Sequence, residues 1–318
     1  MSYYKLRDWI DISKLNSESL CLNKYAINIL RKYSEKISWI YLSSNPEAIE
    51  ILKKNKDKIN WITLSDNEDA IEILNANPDK IDWYELSGNP NAIKIIENNL
   101  DKVNWGRLSG NLNGIDILKK NRDKINWSEL SGNSHKDAIE LLKANPDKID
   151  WDELSSNENP EAIEVLKKNL DKINWYRLSG NINAIKLLRE NQDKINWNEI
   201  SNNENAIELL NENLNKINLY LLSGNHSAIG ILQQNTGIIN WDRLSSNPNA
   251  IELLEKNQDK INWYMLSLNP SIFTYDYKKI REGFKELGEE ILAKALNPDR
   301  LFKLMSIYGR EEVYNTYF

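Results

Sequence analysis

Two histidines and one cysteine are all that this 318-residue chain offers of the commonest general bases and thiol nucleophiles. A histidine metal site or acid–base pair needs its partners brought together. His135 and His226 lie in separate segments far apart in the sequence, and each reads as a solvated turn residue. A cysteine nucleophile needs an activating base beside it. Cys21 stands where comparable segments carry Ser43 or Ser65, and it reads as a buried structural thiol. Asp152-Glu153 is the one acid pair that directly follows a tryptophan. Adjacent residues on a helix point about 100° apart, so these carboxylates do not converge on one atom. No glycine motif of the phosphate-cradling or dinucleotide type is present. The sequence predicts no catalytic residue, metal site, cofactor or small-molecule substrate, so the chain is not expected to be an enzyme.

A different chemistry, recognition, is carried by Tyr41, Tyr84, Arg107, Tyr176, Arg177, Tyr220, Arg243 and Tyr264. Each falls one or two positions after a tryptophan or its equivalent, where the recurring pattern leaves the residue free to vary. Tyrosine and arginine carry much of the energy of protein interfaces. If the segments that hold them line up on one face, these residues form a ragged ridge along it. The rival reading is that the tyrosines shield neighbouring tryptophan rings. Glu85, Glu129, Asp152, Glu153, Glu199 and Asp242 share these positions.

The elements behind the ridge come from a repeat. Tryptophan stands at 39, 61, 83, 105 and 127, in steps of 22 residues, and continues at 151, 175, 197, 241 and 263. Ser17 and Leu219 fill the two positions in register that lack it. A fixed period of 20–50 residues signals a stacked repeat architecture. In one clean unit, Asn60 is an N-cap before Trp61 and Leu64, which lie one turn apart. Asp82, Asn126 and Asp150 stand at the same place with Glu85, Glu129 and Glu153 three residues on, in the manner of a capping box. A second helix opens with Asn45-Pro46, Asn89-Pro90 or Asn247-Pro248, an N-cap followed by proline at the first helical position. Ala48, Ile49, Ile51 and Leu52 then make a wide apolar arc. Asn55, Asn77, Asn99 and Asn121 follow and read as left-handed C-caps. Helices this short are marginal alone, so their stability must come from stacking, with the tryptophans expected in the core.

The predicted fold is all-α: an α/α solenoid, a superhelical array of about twelve two-helix units of 22–24 residues. A leucine-rich horseshoe has a similar period, but its strand needs an apolar residue two positions before the conserved leucine. Tyr84, Gly106, Ser128 and Asp152 break that alternation. The expected domains are an N-terminal cap over 1–16, the array over 17–270 and a C-terminal helical cap over 271–318. In the last, Tyr275 to Ala295 and a segment opened by Asn297-Pro298 read as helices. The tail carries Tyr314, Tyr317 and Phe318. Two units carry two-residue insertions, at Ser134-His135 and Glu158-Asn159. Leu219 and Thr236-Gly237 mark a soft spot.

The run from Asn247 to Trp263, NPNAIELLEKNQDKINW, resembles the repeat of a large set of proteins encoded by giant DNA viruses of amoebae. Trp9 to Asn16 resembles their N-terminal segment. Phe273-Thr-Tyr-Asp-Tyr277 followed by Asn297-Pro-Asp-Arg-Leu301 is similar to their C-terminal one. The resemblance implies a virus-encoded protein of the host cytoplasm or the virion. It brings no particular activity or ligand.

Charged residues make up 28% of the chain and the net charge is −6, which argues against a basic nucleic-acid face. No apolar window is long enough for a membrane span, and Met1 to Ile10 has no apolar core of a signal peptide. The expected function is non-catalytic binding of a host or viral protein through an extended surface. The alternative is a self-assembling structural or virion component. RNA binding by a helical repeat is less expected, and no membrane partner is.

Overall fold

The computed structural model describes residues 4–31, 37–235, 237, 239–311 and 313, with all their side chains but those of 286, 287, 290–292 and 308. Thr236, Tyr314, Tyr317 and Phe318 lie outside these residues. The chain forms two compact units, Trp9–Ile272 and a smaller one of Met1–Asp8 with Phe273–Phe318. The larger unit is an all-α array of short helices stacked in chain order.

One repeat shows how the residues make the elements. The Asn60 side chain accepts from the Thr63 N–H at 3.0 Å and opens the first helix, Trp61–Asp66. Asn67 ends that helix and caps a 3-10 turn, Glu68–Ala70, which feeds the second helix, Ile71–Asn75. A further 3-10 turn, Pro78–Lys80, leads to the next cap at Asp82. In the units with insertions, His135 and Asn159 become extra N-caps, and turn and helix merge into Lys136–Ala144 and Pro160–Lys167. Leu64, Ala70 and Leu74 are fully buried, as are their equivalents in most units.

Three expectations are corrected here. The tryptophans of the repeat are half-buried, not core. Each begins a helix, so its ring lies at the edge of the layer rather than in the middle of a packed face. In several units the ammonium of a connector lysine covers the ring, as Lys58 does for Trp39 at 5.0 Å and Lys260 for Trp241 at 4.8 Å. Asn55, Asn77, Asn99 and Asn121 are not left-handed, since among the described residues only glycine takes a positive φ. Their side-chain amides donate to the carbonyl four residues back, Asn55 to Ile51 at 2.9 Å, which caps the helix without a left-handed residue. The capping boxes are half-made. Asp82 accepts from the Glu85 N–H, but its own N–H donates to Ser65 Oγ of the preceding unit, 3.0 Å away. Glu85 is thereby released, which is why this position tolerates Thr63, Arg107 and Met265.

Buried polar groups join the units. The hydroxyl of Ser65 donates to the Trp61 carbonyl and accepts from the next unit's cap. Asn89 is fully buried: its Oδ1 accepts from the Asn91 N–H, and its amide donates to the Ser65 and Asn67 carbonyls at 3.1 Å each. Among the described residues, twelve such asparagines run from Asn23 to Asn269. The ladder satisfies carbonyls that the short helices leave open.

The ladder has no end. The Asn23 amide donates to the carbonyls of Ser267 and Asn269 at 3.2 and 3.1 Å. The Asn16 N–H donates to Ser267 Oγ at 2.8 Å, and Lys14 lies 5.0 Å from the Trp263 ring. These are the kinds of contact that units inside the array make with their predecessors, so the first unit stacks on the twelfth. Steps of ~8–10 Å between packed helices thus trace a path on the order of 100 Å that closes into a ring. The terminal faces that an open solenoid must protect cover each other. The twelfth unit is composite: Trp263–Ile272 supplies its first helix and turn, and Asp11–Asn16 its connector.

In a ring, the inner wall has the shorter circumference. Consecutive first helices pack directly against one another. Several second helices reach their neighbours through long side chains, as in Lys53–Glu72, Lys143–Glu161 and Arg189–Glu212. The first helices therefore line the inside.

In the smaller unit, strand Tyr4–Leu6 pairs antiparallel with Phe273–Tyr275, and Tyr4 stacks on Tyr275. Helices Tyr277–Ala295 and Pro298–Tyr308 follow, the second ending at Gly309, whose φ of 93° suits glycine.

Candidate interaction surface on the inner wall

On the first helices the residue three positions after the tryptophan, leucine or in one unit Ile200, is buried together with the serine after it. The residue directly after the tryptophan is turned away from the core. Tyr84, Tyr176, Tyr220 and Tyr264 stand there with 53–56% of their surface exposed. Ile40 and Ile62 hold the same position and are equally open. Six large side chains are thus held in solvent at one register. Tyr41 lies one position further on and is also exposed. The position that Tyr41 shares with the arginines leans back over the preceding unit.

The arginines are not free side chains of the ridge. Arg107 lies 2.9 Å from Glu85 and sets its guanidinium over the Tyr84 ring at 5.2 Å. Arg243 lies over Tyr220 at 5.1 Å in the same way. Gly88 and Gly224 make this approach possible, because a Cβ there would meet the guanidinium at 3.0–3.1 Å. Arg177 pairs with Glu153 at 3.0 Å instead. The Tyr176 hydroxyl is held by Glu199, which pushes its pKa up and keeps it neutral. The structure thus joins Tyr84 to Arg107 and Tyr220 to Arg243 as stacked pairs. Tyr41, Tyr176, Tyr264 and Arg177 stand in other units of the wall. Several of the tryptophans are covered by lysine ammonium groups.

The sequence reading missed the Arg–Tyr stacking. Its signal was present: Tyr-x-x-x-Gly in one unit with Arg in the next, at Tyr84–Gly88–Arg107 and Tyr220–Gly224–Arg243.

The histidines have local tasks. His135 Nδ1 accepts from the Asp137 N–H at 3.2 Å, and His226 pairs with Glu204 at 3.0 Å. Cys21 is buried, its thiol held in protonated form by desolvation, and it occupies a serine rung of the ladder. Among the described residues no cluster of three His, Cys, Asp or Glu side chains could hold a metal ion. No helix among them is long and apolar enough to cross a membrane. The chain matches no family model, no curated protein and no solved structure.

Proposed function

We propose that the protein is a non-catalytic scaffold that binds another protein on the inner wall of its ring. The observation that supports this is the row of Tyr84, Tyr176, Tyr220 and Tyr264, each more than half exposed at one register. Aromatic rings with more than half their surface in water bury little area within the ring, whereas at an interface they give large contact area at low entropic cost. Arg107 and Arg243 fix two of the rings in place, so little freedom is lost on binding. Twelve helices at ~8–10 Å spacing leave an opening on the order of 20 Å, enough for a partner helix ~10–12 Å thick. Following the sequence resemblance, the protein is virus-encoded and the partner is a host or viral protein.

Nucleic acid fits this wall poorly, because six carboxylates share the two positions with three arginines. Self-assembly by end-to-end stacking has no free end unit to use.

The test is a pull-down from host-cell lysate with the wild type and a Tyr84, Tyr176, Tyr220, Tyr264→Ser variant of unchanged circular dichroism. A protein retained by the wild type and lost by the variant supports the reading. The same proteins on both, or none on either, removes it.

A further inference from the structure

Where the first unit carries Ser17 in place of tryptophan, the ring has an apolar pocket of about 200 Å³. Leu15, Leu20, Ile29 and Leu30 form its walls, with Ile12 and Ser13 at one side. The register shows what is missing. In the unit of Trp83, Ile81 stands at the place of Leu15 and Ile95 at that of Ile29, and both line a cavity of similar volume beside the indole. There the core residues Leu86 and Ile96 stay closed off, whereas their equivalents Leu20 and Leu30 line the pocket at Ser17. Ten units place an indole at this register, and Leu219 places a smaller apolar group. Ser17 alone puts a short hydroxyl there.

We propose that this pocket at the ring's seam is a binding site for a planar aromatic group of indole size. Its walls are built to the register of an indole, because the same backbone positions hold one in the neighbouring units. The pocket also has the size and chemistry for such a guest. Cavities of about 150 Å³ lined by Leu and Ile stay dry and take up benzene. Cys21 and the Asn23 rung, just beyond Leu20, join the first unit to its neighbours, so the walls are fixed before a ligand arrives. Ser13 and Ser17 at the lining offer hydroxyls to an indole N–H. The site is independent of the tyrosine wall, and neither reading depends on the other.

The experiment titrates the full chain with indole and, separately, with N-acetyl-tryptophanamide. It follows melting temperature and the methyl resonances of Leu15, Ile29 and Leu30. A ligand that binds only the folded form raises the melting temperature with saturation. The expected result is a saturable rise with shifts confined to those methyls. Response to indole alone identifies a free aromatic compound as the guest, and response to both identifies an aromatic side chain offered by a partner. Ser17→Trp should raise the melting temperature without ligand and weaken indole binding by about tenfold or more. Should Ser17→Trp not fold, Ser17→Leu carries the same comparison, with Leu219 as its precedent. No response of the wild type up to the solubility of indole would overturn the proposal. So would equal binding by the filled variants.

Discussion

The amide of Asn23 donates to the carbonyl of Ser267, 244 residues away, at 3.2 Å. Asn89 makes the same bond to Ser65 within the array. A rung that joins the two ends of the larger unit is thus chemically the same as one that joins neighbours, and the closed array should behave accordingly. In an open solenoid the end units fray first. Here the backbone amides of Leu20–Asn23 should exchange with solvent as slowly as those of Leu108–Asn111. Hydrogen exchange read by mass spectrometry decides this, and fast exchange at Leu20–Asn23 would mean the ring opens at its seam.

Asn133→Ala should be among the most damaging single changes. It leaves the Ser109 and Asn111 carbonyls and the His135 N–H without their partner in a buried layer. Unsatisfied buried groups cost ~1–3 kcal/mol each, and partial relaxation brings the expected total to about 3 kcal/mol. Asn91→Ala removes a single exposed bond to the Glu68 carbonyl and should cost less than ~1 kcal/mol. Urea denaturation of the two variants measures the difference.

Trp127→Ala should cost about 2 kcal/mol, below the ~3–5 kcal/mol typical of a fully buried aromatic. The indole is already partly exposed to solvent, so its loss uncovers less new surface. A loss as large as that of Asn133→Ala would show that the indoles rather than the asparagines hold the units together.

Cys21→Ser should leave stability unchanged within about 1 kcal/mol or raise it, because it restores the hydroxyl that the other rungs carry. In the wild type the thiol should resist modification by a water-soluble disulfide reagent until the chain is unfolded. Burial raises its pKa and also denies access.

Stability should hold on a plateau near neutral pH and fall at both ends. Hydrogen bonds from Lys53, Lys119 and Lys143 lower the pKa of Glu72, Asp137 and Glu161, and one from Ser128 lowers that of Asp150. Groups with depressed folded pKa values stabilise above their unfolded values and lose that contribution as pH falls through the folded ones. The same three lysines are raised by those carboxylates. Their contribution is complete below the unfolded lysine value of about 10.4 and is lost at still higher pH. Melting temperature against pH should therefore drop below about pH 4 and again above about pH 10. The lysine pairs are open to solvent, so most of the change they bring should vanish in high salt.

The repeat, its caps and its helical character could be read from Trp61, Asn60 and Asn89-Pro90, because these are local signals. Closure could not, since Asn23 looks the same whether its partner is the neighbouring unit or the last. One clue was available. Lys14-Leu15-Asn16 matches the end of a unit, as in Lys58-Ile59-Asn60, and Trp263–Ile272 matches the beginning of one. The exposure of Tyr84 followed from helix periodicity. The stacking of Arg107 on it did not, because it depends on how far one unit is turned relative to the next. The half-buried state of the tryptophans escaped for a related reason. Helix periodicity gives a direction around the axis but not a depth along it.

Closure also locks the copy number. Repeat arrays ordinarily grow or shrink by whole units, since each new unit simply extends the stack. Here the joints together must make one full revolution, each contributing one-twelfth. A duplicated or deleted unit would leave an angular misfit that no single joint can absorb, and the remaining joints would have to share it. The gene can vary what each unit displays far more readily than how many units there are.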